Sequence, residues 1–269
     1  MSEHRTPVTL ATLTEMKQRR QRIACLTAYD ASFARLLDDA GIDIVLVGDS
    51  LGMVIQGHDS TLPVTVNDMV YHSRMVSRAC RHALVVADMP FMADASPAQA
   101  LDNAARLMKE GGAQVVKLEG GQVMADIVHL LSSRGIPVCA HLGLQPQSVY
   151  KVGGYRVQGR DAESASRIID DARALERAGA DMLVLECVPA TLAEEITGIL
   201  KIPVIGIGAG PACDGQVLVL YDMLGITPGK PPRFVRNFLQ QGGTVSEAVT
   251  AYIEAVRNGD YPSPDHSFS

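Results

Sequence analysis

Seven short runs of β-branched and aliphatic residues, each alternating with a longer segment of helical period, constrain this chain more than any other feature. RIACL is followed by SFARLLDDAG, DIVLVG by VNDMVYHSRMVSRAC, and ALVVA by PAQALDNAARLMKEGG. AQVVKLE, IPVCAHLG and DMLVLE continue the alternation with their own helical segments, and IPVIGIGAG closes it. Strands that are apolar throughout, without polar alternation, belong to a sheet covered on both faces, which means parallel strands with helices outside. A closed (β/α)8 barrel and an open doubly wound sheet both satisfy that pattern. Gly41, Gly111, Gly135 and Gly179 stand where helix C-caps are wanted, each just ahead of a strand. An eighth strand is expected within VLVLYDMLG, but Gly208 to Gln216 is too short for a crossover helix with loops, so the seventh βα unit is shortened, its helix reduced or absent. A short helix near the N-terminus and a final helical region over 234–240 and 246–257 complete the expected α/β architecture.

With 269 residues and 47% hydrophobic content, one barrel-sized domain over 1–269 is expected. A net charge of -6 without a long block of like charge argues against nucleic acid and membrane-surface partners, leaving small-molecule chemistry. Lys17, Arg19, Arg20 and Arg22 form the densest basic cluster and are expected on a solvated helix end. The five cysteines are odd in number and lack CxxC spacing, which favours reduced thiols and a cytoplasmic location over disulfides or zinc. No apolar stretch approaches the ~20 residues of a spanning helix, and no leader-like apolar segment opens the chain.

Four strand runs end in a carboxylate: Asp49, Asp88, Glu119 and Glu186. The intervals of 39 and 31 residues between the first three match successive βα units, so these acids become neighbours at one mouth. Crowded carboxylates resist ionising together, and a divalent cation relieves them. Oxygen ligands without Cys or His clustering select Mg²⁺ or a similar hard ion. The alternative is that each acid only caps the segment after it. Glu186, two units on and away from the metal acids, is the candidate general base, because a metal-bound carboxylate is a poor one. His141 is a substrate contact or proton partner, or else a strand-end histidine bonded to backbone. Lys117 lies two residues before Glu119 and so faces the same way, where it neutralises the acids or binds an oxyanion. Ser50, in GDSLG, can hold a carboxylate. GIGAG at 206–210 lacks the helix a dinucleotide loop needs and reads as a tight turn. The loops 52–65 and 143–161 are long and follow strands, where parallel-sheet enzymes place their sites.

TAYDASFA, LVGDSLGM, QGHDSTLPVT, VKLEGG, CAHLGLQPQS, GGYRVQGR and LVLECVP, with IPVIGIGAG and DGQVLV, occur in order from about Thr9 to Phe268. Together they resemble the ketopantoate hydroxymethyltransferase family. Small departures are the paired Gly111 and Gly112 and a tyrosine at Tyr221 where relatives often carry histidine. The resemblance implies a (β/α)8 barrel, bound Mg²⁺, and transfer of a hydroxymethyl group from 5,10-methylenetetrahydrofolate to 3-methyl-2-oxobutanoate, giving 2-dehydropantoate for pantothenate and coenzyme A. It implies Asp49 and Asp88 as direct metal ligands, Glu119 as an acid reaching the metal through water, and Ser50, Lys117 and His141 near the substrate. Glu186 matches the general base, and a homodecamer is the implied assembly. A Mg²⁺-dependent lyase or mutase of the phosphoenolpyruvate type and a non-catalytic binding barrel are the competing readings.

Overall fold

The computed structural model describes residues 5–269. Eight parallel strands close on themselves: β1 (Ile23–Thr27), β2 (Ile44–Val47), β3 (Leu84–Asp88), β4 (Val115–Glu119), β5 (Val138–Gly143), β6 (Met182–Glu186), β7 (Val204–Ile207) and β8 (Gly215–Leu218). The β1 strand pairs with both β2 and β8, which removes the open-sheet alternative. The interior is filled by side chains such as Val86, Met182, Val184, Ile205 and Val217 around the stem of Lys117.

The helices are α1 (Leu10–Gln18), α2 (Ala31–Ala40), α3 (Leu51–Val54), α4 (Val66–Ala79), α5 (Pro97–Lys109) and α6 (Ala125–Ser133), then α7 (Val149–Val152), α8 (Ala162–Ala178), α9 (Ala190–Ile199), α10 (Leu220–Met223), α11 (Leu239–Gly242) and α12 (Val245–Asn258). Local chemistry sets many of their ends. Asp30, Ser96 and Asp161 cap α2, α5 and α8, and Thr65 with Asp68 and Thr244 with Glu247 form capping boxes on α4 and α12. Gly41 and Gly179 end α2 and α8 in the left-handed conformation, as the sequence predicts, whereas after α5 it is Gly112 that turns left-handed. Gly111 is needed there for space, since a β-carbon would lie 2.5 Å from the Leu107 carbonyl oxygen.

Two expectations change, and one is narrowed. The eighth strand starts at Gly215 and stops at Leu218, and its expected continuation becomes α10. Among the described residues no helix joins β7 to β8, so of the reduced or absent seventh helix it is absence that holds. Phe234–Phe238 is not helical: Phe238 instead meets Tyr252 and Tyr261 edge to face at 5.4 and 5.6 Å. The basic cluster is also not uniformly solvated. Lys17 Nζ donates to Asp214 at 2.6 Å and to the Thr197 carbonyl, and Arg22 donates to the Pro211 and Cys213 carbonyls, tying the start of the chain to the β7–β8 connection.

The floor of the barrel repeats one device. A polar residue just before each even-numbered strand accepts the N–H at the start of the preceding odd strand. Asp43 takes Ala24 N, Gln114 takes Val85 N, Asp181 takes Val138 N and Asp214 takes Val204 N, at 2.9–3.0 Å. Each side chain extends the ladder by one bond where no backbone carbonyl is in register.

Asp38 on α2 performs a related task, accepting from the backbone N–H groups of Arg81, His82 and Ala83 and facing His82 Nδ1 at 3.1 Å. Burial pushes its carboxyl up, but the Ala83, Arg81 and His82 donors outweigh burial and hold it below the usual value. Asp38→Ala strands these amides and is expected to cost on the order of 3 kcal/mol near neutral pH. A group depressed on folding stabilises above its unfolded pKa of about 4 and loses that contribution as pH falls through the folded value. Urea unfolding at several pH values should therefore show the gap between wild type and variant narrowing below about pH 4.

Candidate active site

Asp88, Glu119 and Glu186 end β3, β4 and β6, His141 lies near the end of β5, Asp49 and Ser50 follow β2, and Lys117 reaches Asp88 from the middle of β4. Strand register sets their levels: Asp88 is the neighbour of Lys117, Glu119 of His141, and Gly143 of Glu186. Asp49 and Ser50 follow β2 by two and three residues, through a turn in which a β-carbon on Gly48 would stand 2.8 Å from Ser50 Oγ. Glycine leaves room there for the Ser50 hydroxyl.

Two clusters result. In the first, Lys117 Nζ donates to Asp88 Oδ1 at 2.5 Å, and the backbone N–H of Asp49 donates to Asp88 Oδ2 at 2.9 Å. All three side chains are buried. Of the two tasks expected of Lys117, neutralising an acid is seen directly in its bond to Asp88. Burial would lower its ammonium pKa, but the charges of Asp88, Glu119 and Asp49 outweigh burial and raise it. Burial and then the charges of Asp88 and Glu119 push the Asp49 carboxyl well above its usual range. In the second cluster, His141 stands between two carboxylates, with Nδ1 3.5 Å from Glu119 Oε1 and Nε2 3.2 Å from Glu186 Oε2. These are ion-pair distances without hydrogen-bond alignment. Burial and Lys117 push the imidazole down, and Glu119 with Glu186 outweighs them, pushing it up to about 9. Burial likewise raises Glu119, but His141, Lys117 and the Gln147 amide hold it below its usual value.

Glu186 is therefore not isolated, as the sequence suggested, but paired with His141. The strand turns sharply after it. Cys187 holds φ +48°, a left-handed backbone at a non-glycine, secured by its N–H on the Ile207 carbonyl and by Gln158 N donating to its own carbonyl. Gly143 is equally constrained, since a β-carbon there would lie 2.1 Å from the Glu186 carbonyl oxygen.

Two residues escaped the sequence reading. Tyr29, buried after β1, shares a 2.9 Å hydroxyl–hydroxyl hydrogen bond with Ser50, so Ser50 is held by a phenol and not by the acids. Gln147, in the loop after β5, donates to Asp49 Oδ2 and the Met89 carbonyl through its side chain and to Glu119 Oε2 through its backbone N–H. Both lie within the family-like segments, yet neither carries a spacing signal of its own. The two long loops meet where Tyr155 Oη donates to Met53 Sδ at 3.5 Å. GIGAG serves close packing: a β-carbon on Gly208 would lie 2.8 Å from Phe234, and one on Gly210 would lie 2.6 Å from Ala190.

The mouth sets four carboxylates, Asp49, Asp88, Glu119 and Glu186, against one ammonium and one imidazole. Among the described residues no three His, Cys, Asp or Glu side chains form a ready-made metal cage. The donor set suits a hard divalent ion that takes one or two carboxylates from protein and the remainder from substrate and water. Burial and the neighbouring charges of Asp88 and Glu119 raise the Asp49 carboxyl, and a cation placed there would favour its ionised form.

An acid–base site at the carboxyl mouth of a closed (β/α)8 barrel defines a barrel enzyme. The profile of the ketopantoate hydroxymethyltransferases matches residues 7–264, and the chain belongs to that family of transferases. It is 61% identical over 261 residues to a 3-methyl-2-oxobutanoate hydroxymethyltransferase of Nitrosococcus oceani, covering 97% of this chain and 99% of that one. A namesake from Halorhodospira halophila is 59% identical, covering 97% and 94%. Among solved structures, the fold is similar to phosphoenolpyruvate phosphomutase from Streptomyces platensis subsp. rosaceus (TM-score 0.62, 15% identity, covering 95% and 92%). It is also similar to phosphonopyruvate hydrolase in complex with oxalate and Mg²⁺ (TM-score 0.60, 11% identity, covering 79% and 80%). No helix among the described residues is long and apolar enough to cross a membrane.

Proposed function

We propose that this chain transfers a hydroxymethyl group from 5,10-methylenetetrahydrofolate to 3-methyl-2-oxobutanoate, forming 2-dehydropantoate for pantothenate and coenzyme A biosynthesis. The observation that carries this reading is the division of one mouth into an acidic cluster, Asp49 and Asp88 joined through the Asp49 backbone N–H, and a separate Glu186–His141 pair. That division suits a reaction needing both a chelated 2-oxo acid and a base. The names borne by relatives near 60% identity support it.

Asp49 and Asp88 would hold Mg²⁺, with Glu119 as the third acid beside them. The ion, when bound, supplies Lewis-acid polarisation of a 2-oxo acid. Glu186 takes the proton from C3, and the C–H electron pair passes into an enolate spread over C3, C2 and the keto oxygen. His141, 3.2 Å from Glu186 Oε2 and 3.5 Å from Glu119, orients that carboxylate and shares its proton load. Lys117 places a fixed positive charge beside the oxygen where negative charge grows, and Ser50, braced by Tyr29, orients the substrate carboxylate. Water opens the methylene bridge of the folate, releasing tetrahydrofolate and formaldehyde; the enolate carbon adds to the formaldehyde carbon, and the new oxygen takes up the proton held by Glu186. The same reading makes 1–269 one domain of a cytoplasmic enzyme, assembled as the homodecamer the family resemblance implies.

The test incubates the protein with 3-methyl-2-oxobutanoate and Mg²⁺ in D₂O without folate. Loss of the C3 proton signal by NMR is expected, and its persistence at saturating substrate removes the enolisation step. Addition of 5,10-methylenetetrahydrofolate should then convert the exchanging acid to its hydroxymethyl product. Exchange without that conversion would point to a lyase- or mutase-like activity instead.

A further inference from the structure

We infer that Gln147 is a positioning residue for the cation site, holding Asp49 and Glu119 in the arrangement that receives the ion. The inference rests on the metal reading proposed above. Gln147 enters the mouth from the loop after β5, on a turn closed by Ser148 N donating to the Gln145 carbonyl at 2.8 Å. From there it reaches three other βα units. Its Nε2 donates one hydrogen to Asp49 Oδ2 and one to the Met89 carbonyl, both at 2.9 Å, while its backbone N–H donates to Glu119 Oε2 at 3.1 Å. With both amide hydrogens committed, the side chain has one orientation, and Asp49 is held by the oxygen that Gln147 meets. The other Asp49 oxygen has no comparable donor from this residue.

A neutral donor suits this task for an electrostatic reason. A lysine or arginine here would orient Asp49 but discharge it, competing with a cation for the same carboxylate. A glutamate would add another negative charge to a crowded group. The amide fixes the carboxylate and leaves its charge for the ion. Asparagine, one methylene shorter, cannot span to both Asp49 and Met89 from the same backbone position. The backbone bond to Glu119 does not depend on side-chain identity, so the two contributions can be separated by substitution.

Hydrogen-bond partners that orient metal ligands commonly govern affinity by 10–100-fold. Titration calorimetry with MgCl₂, with and without 3-methyl-2-oxobutanoate, should show Mg²⁺ binding weakened by about 10–100-fold in both Gln147→Ala and Gln147→Asn. Gln147→Asn preserves the backbone donor to Glu119 and decides the matter if the alanine variant does not fold. Thermal midpoints recorded alongside should move far less than affinity, since a merely structural loop residue would shift the midpoint and leave affinity alone. Wild-type affinity in a folded variant overturns the inference while leaving the metal site standing. Absence of Mg²⁺ binding by the wild type under both conditions overturns the metal reading and this inference with it.

Discussion

Replacing Asp88 by alanine is expected to abolish turnover and, in addition, to destabilise the fold by about 3–5 kcal/mol. From its strand-end position alone, Asp88 reads as a residue whose loss affects only the metal. The structure assigns it more. Its Oδ1 accepts from the buried Lys117 ammonium and its Oδ2 from the Asp49 backbone N–H. Alanine removes the hydrogen-bonded partner of Lys117, a charge 5% exposed in the barrel centre, and leaves the Asp49 amide unpaired. Lys117 then pairs with Asp49 or Glu119, whose charges already support its ammonium form, and so occupies carboxylates the cation would use. Urea unfolding measures the first effect and a steady-state assay with Mg²⁺ the second. The double variant Asp88→Ala, Lys117→Met should recover much of the stability and none of the activity, because a buried ion pair replaced by apolar volume is often close to neutral. Turnover by Asp88→Ala within tenfold of wild type would remove Asp88 from the cation site.

Glu186→Gln is expected to lower kcat by about 10²–10⁴-fold, the usual contribution of a positioned general base, with substrate binding retained. The side chain is 14% exposed and paired with His141 at 3.2 Å, so glutamine fits the same space and loses little packing. Proton transfer is the property removed. Deuterium exchange at C3 of 3-methyl-2-oxobutanoate should fall in step with kcat, while KM moves by only a few fold. Exchange at the wild-type rate would shift the base to His141, the group in contact with Glu186. In that case His141→Asn would become the silent variant, with Glu119 and Glu186 acting only to orient the ring.

Much of this architecture is local and therefore legible. The βαβα order, the Asp30, Thr65 and Asp161 cap positions, the left-handed Gly41 and Gly179, and the missing seventh helix all depend on a few consecutive residues. The floor device was equally present as a polar residue before each even strand, Asp43, Gln114, Asp181 and Asp214, but its meaning needed the neighbouring strand. The basic cluster near residue 20 misled for the same reason. Lys17 and Arg22 look like a solvated helix end until the β7–β8 connection, some 190 residues on, is brought beneath them. Phe234–Phe238 shows the converse, where a helical pattern yields to aromatic packing on Tyr252 and Tyr261.

By itself the sequence determined which side chains stand at the mouth, because a strand of known end fixes the level of Asp49, Asp88, Lys117, Glu119, His141 and Glu186 along the barrel axis. What each of them faces was decided only by closure of the barrel and the register between strands. That step joined Lys117 to Asp88, placed His141 between Glu119 and Glu186, and brought Gln147 across the mouth onto Asp49, 98 positions away in the chain. Axial level follows from residue counting at a fixed rise per residue. Contact across the mouth depends on distances between segments that no local pattern encodes.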